Sequence, residues 1–162
     1  MTKAPTQQTA EIIALPVSPR DKRRAEDRFG KKILAHGYTI VPRLLLHAQA
    51  RLGVSPTEFN VILHLLEHWW EADKAPHPKI ETIARRMDKS PRMVLRYLGG
   101  LEKRGLIKRI HRYRGQKAQT SSYYNLEGLV AKLESLEPEF KKAKEHRNKR
   151  LQKAEAAASG AA

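Results

Sequence analysis

The sequence predicts a mainly α-helical domain that carries one small β-hairpin, which is an α+β fold. Three observations lead to this prediction. Ser-Pro pairs at Ser55 and Ser90 mark helix starts, because Ser caps a helix and Pro fits its first turn. Apolar residues recur at intervals of three and four after each start, as they do on a half-buried helix. Residues 106–110 and 122–126 alternate in the manner of paired strands.

The ends of the chain differ in composition from its middle. Residues 1–36 are rich in Thr, Gln, Pro and charge, which predicts a flexible basic N-terminal arm. Residues 38–42 have the β-branched content of a short edge strand that stops at a proline. The ordered domain is predicted to span residues 37–136, and residues 137–162 to form a charged C-terminal helix or tail.

Capping signals and apolar spacing predict the first two helices. Ser55 and Glu58 have the spacing of a capping box, and the helix that they open is predicted to run to about Trp70. Its predicted buried stripe consists of Phe59, Ile62, Leu63, Leu66, Trp69 and Trp70. The same spacing predicts a short second helix with an apolar side at Ile80, Ile83, Ala84 and Met87.

The third helix has an apolar side and a basic side. The chain breaks at residues 88–91, and Gly105 stands where a left-handed C-terminal cap belongs, so this helix is predicted to span residues 91–104. On a helical wheel the apolar side holds Val94, Leu98 and Leu101. The opposite side holds Arg92, Met93, Arg96, Gly99 and Gly100.

A β-hairpin and a further helix are predicted after the third helix. The strands at residues 106–110 and 122–126 are joined by a basic loop around Gly115. Tyr113, Tyr123 and Tyr124 accompany this loop, so a surface on which single-stranded bases stack is a weaker alternative to ordinary strand tyrosines. The last predicted helix has its apolar side at Leu129, Val130, Leu133 and Leu136.

Positive charge is concentrated in the third helix and the hairpin. Lys and Arg outnumber Asp and Glu by 32 to 17 in the whole chain. Between Lys89 and Lys117 ten basic residues stand against Glu102 alone. A solvated surface normally mixes both signs, so a cluster of one sign indicates a polyanionic partner, and nucleic acid fits best.

Several residues of this cluster are candidates for contacts with DNA. Outward guanidinium groups such as those of Arg92 and Arg96 can bind O6 and N7 of guanine in a major groove, and phosphate binding is the open alternative for each. Ser90 is a candidate for a phosphate contact in addition to its capping role. Gly99 and Gly100 have two open explanations, namely close approach to a DNA backbone and tight packing or fraying of the helix.

Composition argues against several other functional classes. The chain has no cysteine, which excludes disulfides and zinc fingers and agrees with a cytoplasmic protein. No apolar run approaches the roughly 20 residues of a membrane span, and no signal-peptide core is visible. There is no glycine-rich phosphate-binding loop of the nucleotide-binding type. We expect a protein that is not an enzyme and that needs no cofactor.

One motif associated with enzymes does occur. His64, Glu67 and His68 match the H-x-x-E-H pattern of inverted zinc peptidases. The surrounding helix is apolar, and no third ligand is evident downstream, so a chance match on a scaffold helix is the favoured interpretation. No metal site is predicted.

Residues 55–126, and above all the LEKRGLIKR run that joins the third helix to the hairpin, resemble the winged helix-turn-helix domains of bacterial transcriptional regulators. The preceding GYTIVPRLLL is similar to the lead-in of proteins that replicate or regulate plasmids, phages and other mobile elements. The resemblance implies that helix 91–104 enters the major groove with Arg92, Met93 and Arg96 facing the bases. It also implies a wing over residues 109–121 that lies on the backbone or in the minor groove.

The sequence and this resemblance together predict a DNA-binding set consisting of Lys89, Ser90, Arg92, Met93, Arg96, Lys103, Arg109, Arg112, Arg114 and Lys117. A sequence-specific transcriptional regulator is the expected function, and a replication or maintenance factor that binds origin or partition DNA is the alternative. A homodimer is a possible assembly, because helix-turn-helix proteins commonly bind paired half-sites. A protein partner of the N-terminal arm or the C-terminal tail, and association with the nucleoid, are further hypotheses.

Overall fold

The computed structural model describes the backbone of residues 25–114 and 118–159 and the side chains of residues 25–111 and 121–154. The chain divides into two units, Met1–Tyr38 and Thr39–Ala162. In the first unit, residues 25–29 are helical, and a four-residue helix, α1, spans Lys31–Leu34 without burying any residue. The remaining part of the predicted N-terminal arm, residues 1–24, lies outside the described residues.

The second unit is mainly helical and contains one antiparallel hairpin, which confirms the predicted fold class. In chain order its elements are α2 (Arg43–His47), α3 (Gln49–Leu52), α4 (Pro56–Glu67), α5 (Ile80–Arg86), α6 (Pro91–Lys103), β1 (Lys108–Arg114), β2 (Ala118–Asn125) and α7 (Glu127–Ser159). The arrangement of α4 to α6 followed by the hairpin is that of a winged helix-turn-helix.

The start of α4 confirms the predicted capping box. The Glu58 amide donates to the Ser55 hydroxyl over 3.3 Å, and the Ser55 amide donates to the Glu58 carboxylate over 3.0 Å. These two bonds satisfy amide groups that the first helical turn leaves without intrahelical partners. A side-chain cap of this kind stabilises a helix by about 1 kcal/mol.

The core lies where α6 packs against α4 and α5. Ile62 and Leu65 of α4, Ile83 of α5 and Leu98 of α6 are each at most 1% exposed. Burying one such side chain stabilises a fold by about 1.5–3 kcal/mol, so this packing fixes the orientation of α6. The hairpin is tied to the long α4–α5 loop, because the Tyr124 amide donates to the Pro76 carbonyl over 2.9 Å.

The predicted end of α4 is wrong by about one turn. The helix ends at Glu67 with His68 as its C-cap, and Trp70, which was predicted to be buried, is 64% exposed. Val61 and Leu65 are fully buried instead, although the predicted stripe did not include them. The apolar spacing continued past the helix end because Trp69 still packs against the core from the following loop.

The predicted edge strand at residues 38–42 is also wrong, since these residues form no regular structure. Tyr38 and Ile40 are 51% and 54% exposed. A strand needs a neighbour to accept and donate its backbone hydrogen bonds, and the two-stranded sheet of the described chain consists of β1 and β2 alone. Pro42 serves as the N-cap residue of α2.

The hairpin is longer and its loop shorter than predicted. Lys108 pairs with Asn125 and Arg114 with Ala118, and the register shifts between Ile110 and Arg112. The tip of the hairpin, residues 115–117, lies outside the described residues. Leu106 and Ile107 were predicted to be strand residues, but they precede β1 and are 2% and 4% exposed parts of the core.

The C-terminal helix α7 is continuous over 33 residues and contains Pro138 within it. Its first part carries most of the predicted apolar side, since Leu129 and Leu136 are buried and Leu133 packs against the core. Val130, which was also predicted there, is 37% exposed. The helix continues without a break across residue 137, where the charged C-terminal segment was predicted to begin.

Candidate nucleic-acid interface

Backbone geometry holds the turn between α5 and α6. Asp88 adopts a left-handed conformation with a φ of 51°, and the Lys89 amide donates to the Ala84 carbonyl over 2.9 Å. This hydrogen bond closes the end of α5 in the manner of a Schellman motif. Ser90 then caps α6 by accepting from the Met93 amide over 3.3 Å. The two helices of the helix-turn-helix are thereby fixed relative to each other.

The packing of α6 determines which of its residues face outward. Val94, Leu98 and Leu101 have no exposed surface, and they place one side of the helix against α4 and α5. Residues at intervals of three and four on the other side form what we call the outward face of α6. Its members are Arg92, Leu95, Arg96, Gly99 and Lys103.

The outward face is cationic. Arg92, Arg96 and Lys103 are exposed, and no ion pair found among the described residues includes any of them. The Arg96 guanidinium carbon lies 5.7 Å from the centre of the neighbouring Tyr97 ring, within the range of a cation–π contact. Three exposed cations on one helix face can therefore meet phosphates or base edges without first breaking an ion pair.

The other predicted residues at the start of α6 have different positions. Lys89 and Ser90 are exposed in the turn, next to the N-terminus of the helix. Met93 is half-buried and lies at the border between the two faces, not at the centre of the outward face. Leu95, which was not among the predicted contact residues, is 40% exposed. Its position three residues after Arg92 is the signal that could have placed it on this face.

Arg109 is held by Glu102 at the base of the hairpin, and its predicted contact with DNA stays a prediction. Its guanidinium donates to one oxygen of Glu102 over 3.0 Å, and its amide donates to the other oxygen over 2.9 Å. Its side chain is only 20% exposed. This double contact joins the end of α6 to the start of β1, so Arg109 has a structural role at the base of the hairpin.

The remaining wing residues are only partly described. The backbones of Arg112 and Arg114 lie on β1, opposite Thr120 and Ala118. Their side chains lie outside the described residues, and so does the whole of Lys117. The prediction that these three residues contact DNA stays a prediction.

A second arginine of the cationic cluster is also engaged. Arg104, the C-cap residue of α6, pairs with Glu58 of α4. Glu58 lies 46 positions earlier in the chain, so a local count of charges could not detect the pairing. Two of the basic residues counted in the sequence, Arg104 and Arg109, are therefore paired with acidic residues.

The two adjacent glycines of α6 have different environments. A methyl group on Gly99 would meet no atom within 4 Å, because this position opens to solvent. A methyl group on Gly100 would overlap the Glu58 carboxylate and lie 3.5 Å from an Arg104 nitrogen. A methyl group on Gly100 would therefore require the Glu58 carboxylate to move, whereas one on Gly99 would require no movement of a neighbour.

Burial of Tyr124 argues against the alternative of a surface on which single-stranded bases stack. Tyr124 has no exposed surface, and this burial raises the pKa of its hydroxyl. Tyr123 is half-buried and forms an edge-on ring contact with His77, with 5.2 Å between the ring centres. The side chain of Tyr113 lies outside the described residues.

The H-x-x-E-H motif forms intramolecular contacts. Glu67 forms an ion pair with Arg86 of α5 over 2.5 Å, and the His68 ring nitrogen Nδ1 lies 3.0 Å from the His64 carbonyl oxygen. Among the described residues, no group of three or more His, Cys, Asp or Glu side chains has the geometry of a metal site. The contact between Glu67 and Arg86 attaches α5 to α4.

The C-terminal part of α7 is a second cationic surface. Phe140 still packs against the core, whereas residues 141–154 are all exposed, and we call these residues the basic extension. Its basic residues are Lys141, Lys142, Lys144, Arg147, Lys149, Arg150 and Lys153, with Glu145 as the acidic one. Within the part of the chain that the structure describes, no helix is long and apolar enough to cross a membrane.

Three solved structures with similar folds are each below 25% identity and below a TM-score of 0.5. The N-terminal domain of the DnaD protein from Geobacillus kaustophilus HTA426 has 24% identity and a TM-score of 0.48, and the match covers 78% of this chain and 96% of that one. The YusO protein from Bacillus subtilis has 19% identity and a TM-score of 0.38, with 86% and 98% covered. A MarR family transcriptional regulator from Rhodococcus sp. RHA1 has 16% identity and a TM-score of 0.38, with 82% and 91% covered.

No curated protein matches the sequence. The DnaD N-terminal domain family, in contrast, matches residues 41–145. This range contains the helix-turn-helix, the hairpin and the first half of α7, and it amounts to well over half of the 162 residues. The chain therefore belongs to the DnaD N-terminal domain family.

Proposed function

We propose that this protein binds double-stranded DNA, with α6 in the major groove and the hairpin on the backbone or in the minor groove. The observation that carries the proposal is the outward face of α6, where Arg92, Arg96 and Lys103 are exposed on a helix fixed by its core packing. A B-DNA major groove admits one α-helix, and duplex DNA carries about one negative charge per 1.7 Å of its length.

The individual side chains suit different parts of a duplex. Arg92 and Arg96 lie four residues apart on one face, and a guanidinium group can donate two hydrogen bonds to O6 and N7 of guanine. Lys89 and Lys103 are at opposite ends of α6, where ammonium groups can reach the phosphates on either side of the groove. In this proposal the two arginines select the sequence and the two lysines set the position of the helix.

The proposed cellular role is that of a sequence-specific transcriptional regulator in the cytoplasm, associated with the nucleoid. A plasmid or mobile-element replication or maintenance factor is the second candidate. The name of the matching family refers to DnaD and not to a class of transcriptional regulators. We therefore keep the replication or maintenance factor as the second candidate. Footprinting across the genome distinguishes the two roles: a single palindrome over a promoter supports the regulator, and repeated sites at an origin support the replication factor.

Further parts of the proposal concern assembly and chemistry. We propose a homodimer that binds two half-sites, which mass measurement by light scattering in solution tests directly. The basic extension of α7 would add sequence-independent affinity by lying close to phosphates, and a protein partner of this helix is the alternative. The protein is proposed to act without catalysis and without a cofactor.

A binding titration tests the central proposal. We expect labelled duplex DNA to bind the full chain with an affinity that falls as the salt concentration rises, by about 0.9 in log K per log salt for each phosphate contacted. Selection from randomised duplexes should then enrich a defined sequence for the native protein. Duplex binding that is absent or insensitive to salt overturns the proposal.

Two variants assign the base contacts. Arg96→Ala should change the selected sequence at one position of each half-site, at a cost of about 1–3 kcal/mol against the best site. Arg150→Ala, in the basic extension, should weaken all sequences equally and leave the preferred one unchanged. If Arg96→Ala also weakens all sequences equally, Arg96 binds phosphate and not a base.

A further inference from the structure

The outward face of α6 has an apolar residue between its cations. Leu95 is 40% exposed, and it lies three residues after Arg92 and one before Arg96. Exposed leucines occur singly on many protein surfaces and need no special explanation by themselves. Leu95 differs because its neighbours on the same face are the side chains proposed to reach the floor of the major groove.

Side-chain length makes this position informative. An arginine can reach a base edge from some distance, whereas a leucine touches the groove floor only if the helix backbone comes closer to it. Gly99 lies one turn after Leu95 on the same face, and a methyl group there would meet nothing within 4 Å. The missing side chain at Gly99 therefore removes the bulk that would otherwise hold this part of the helix away from the duplex.

The chemistry of the major groove limits what Leu95 can contact there. Nitrogen and oxygen atoms present donors and acceptors on all four bases, and the 5-methyl group of thymine is the apolar group of the groove. A leucine between two guanidinium groups cannot satisfy a donor or an acceptor. It can exclude water from a methyl group, and this contact is favourable in proportion to the apolar area that it buries.

We propose that Leu95 contacts the 5-methyl group of a thymine next to the bases read by Arg92 and Arg96, and that Gly99 permits the approach. The inference rests on the proposed DNA binding and adds a specificity-determining residue to it. It follows that the protein discriminates thymine from uracil at one position of each half-site, although these two bases have identical hydrogen-bonding groups.

Replacing thymine by deoxyuridine tests the inference, because the change removes the methyl group alone. Each thymine of the best duplex from the selection is replaced in turn, and the dissociation constant is measured. With the native protein we expect one position per half-site at which uracil weakens binding about fourfold, the value that corresponds to one buried methylene-sized group. Leu95→Ala should bind the thymine and uracil duplexes equally well.

Matched variants complete the experiment. Leu95→Met keeps an apolar side chain of similar size and helix propensity, so it should retain most of the preference for thymine. Leu46→Ala removes a leucine that is 46% exposed outside α6, and it should leave the ratio of the two affinities unchanged. Circular dichroism on each variant verifies that the fold is intact.

Each remaining outcome counts against the inference. It is overturned if no single uracil weakens binding by the native protein, if the selected site has no thymine, or if Leu95→Ala keeps the native thymine preference. A changed molecular mass of Leu95→Ala with an unchanged preference would assign Leu95 to a protein contact instead. In all these cases duplex binding itself still stands, whereas its loss in the native protein would refute the proposed function as well.

Discussion

Glu58 and Arg104 form an ion pair that joins the first turn of α4 to the C-terminal end of α6. The second oxygen of the Glu58 carboxylate closes the capping box with Ser55. One carboxylate thus caps the start of α4 and holds the C-terminal end of α6. Its side chain is 12% exposed, so water screens the pair only in part.

The pH dependence of stability should reflect this carboxylate. Partial burial raises the pKa of Glu58, but hydrogen bonds from Ser55 and Arg104 outweigh it and leave the pKa below its ordinary value of 4.5. A depressed folded-state pKa stabilises the fold above the unfolded-state value, and this stabilisation is lost as the pH falls through the folded-state pKa. We expect the free energy of unfolding, measured with urea, to decrease as the pH drops below 4.5.

Glu58→Gln identifies the source of this loss. The variant should be less stable at neutral pH by about 1–3 kcal/mol, and its stability should change less with acid than that of the native protein. Glu139→Gln is the control, because Glu139 pairs with Arg51 where both side chains are more than half exposed. Equal acid sensitivity in the native protein and Glu58→Gln would show that other carboxyl groups dominate.

The adjacent glycines of α6 allow a paired test. Gly99→Ala should raise the free energy of unfolding by about 1 kcal/mol, because alanine favours the helix and the position is open. Gly100→Ala should give none of this gain, since the new methyl group displaces the Glu58 carboxylate from Arg104. Thermal unfolding of both variants gives the comparison, and equal stabilisation by both would contradict it.

The affinity of Gly99→Ala for DNA should change in the opposite direction to its stability. Gly99→Ala places a methyl group on the outward face, so we expect weaker binding to the selected duplex despite higher stability. Native or improved affinity of Gly99→Ala would mean that α6 does not approach DNA closely at this residue.

Arg92 and Arg109 should behave oppositely, although both were predicted from sequence to contact DNA. Arg92 is exposed outside any ion pair of the described residues, and Arg109 is held by Glu102. Arg92→Ala should leave the melting temperature unchanged and weaken binding to the selected duplex by about 1–3 kcal/mol. Arg109→Ala should lower stability by about 1–3 kcal/mol, because it leaves the half-buried Glu102 without its guanidinium partner. If Arg109→Ala has a lower salt slope and unchanged stability, Arg109 contacts DNA as the sequence predicts.

The turn of the helix-turn-helix contains a residue in an unfavourable conformation. Asp88 has a φ of 51°, and a left-handed conformation costs a residue with a side chain about 1–2 kcal/mol relative to glycine. Asp88→Gly should therefore stabilise the domain, whereas Asp88→Ala should not, because alanine has the same steric restriction. Chemical denaturation measures both, and stabilisation by alanine would indicate that the charge of Asp88, and not its backbone, is unfavourable.

Features determined by near neighbours in the sequence could be predicted. The caps at Ser55 and Ser90, the left-handed Gly105 and the apolar side of α6 each follow from residues within one or two turns of each other. The outward face of α6 could also be predicted. Because Val94, Leu98 and Leu101 are buried, the arginines must lie on the opposite side of the helix.

Features determined by distant residues could not be predicted. Whether a basic residue is available to DNA depends on acidic partners elsewhere, as Glu58 shows for Arg104. Residues 38–42 have strand-forming side chains, but pairing requires a neighbouring strand, and the pattern of a single segment does not report one. The sequence does not distinguish Gly99 from Gly100. Their environments differ because Glu58 of α4 lies beside Gly100 and no atom lies close to Gly99.

Gly128 is required where the start of α7 meets the turn between α6 and the hairpin. A methyl group on Gly128 would overlap the carbonyl oxygen of Gly105 and lie 3.3 Å from that of Leu106. Both neighbours are backbone atoms, which cannot rotate away as a side chain can, so the helix or the turn must move. Gly128→Ala should lower the free energy of unfolding by about 3 kcal/mol, the upper range for overpacking.

The same displacement should affect DNA binding. Gly105 follows α6 and leads into β1, so a shift of this turn changes the angle between α6 and the hairpin. We expect Gly128→Ala to bind the selected duplex more weakly even at temperatures where it is fully folded. For the stability measurement, Gly99→Ala controls for the chemistry of the substitution, since it adds the same methyl group in open space. Native stability of Gly128→Ala would show that the contact between α7 and this turn is looser than the structure indicates.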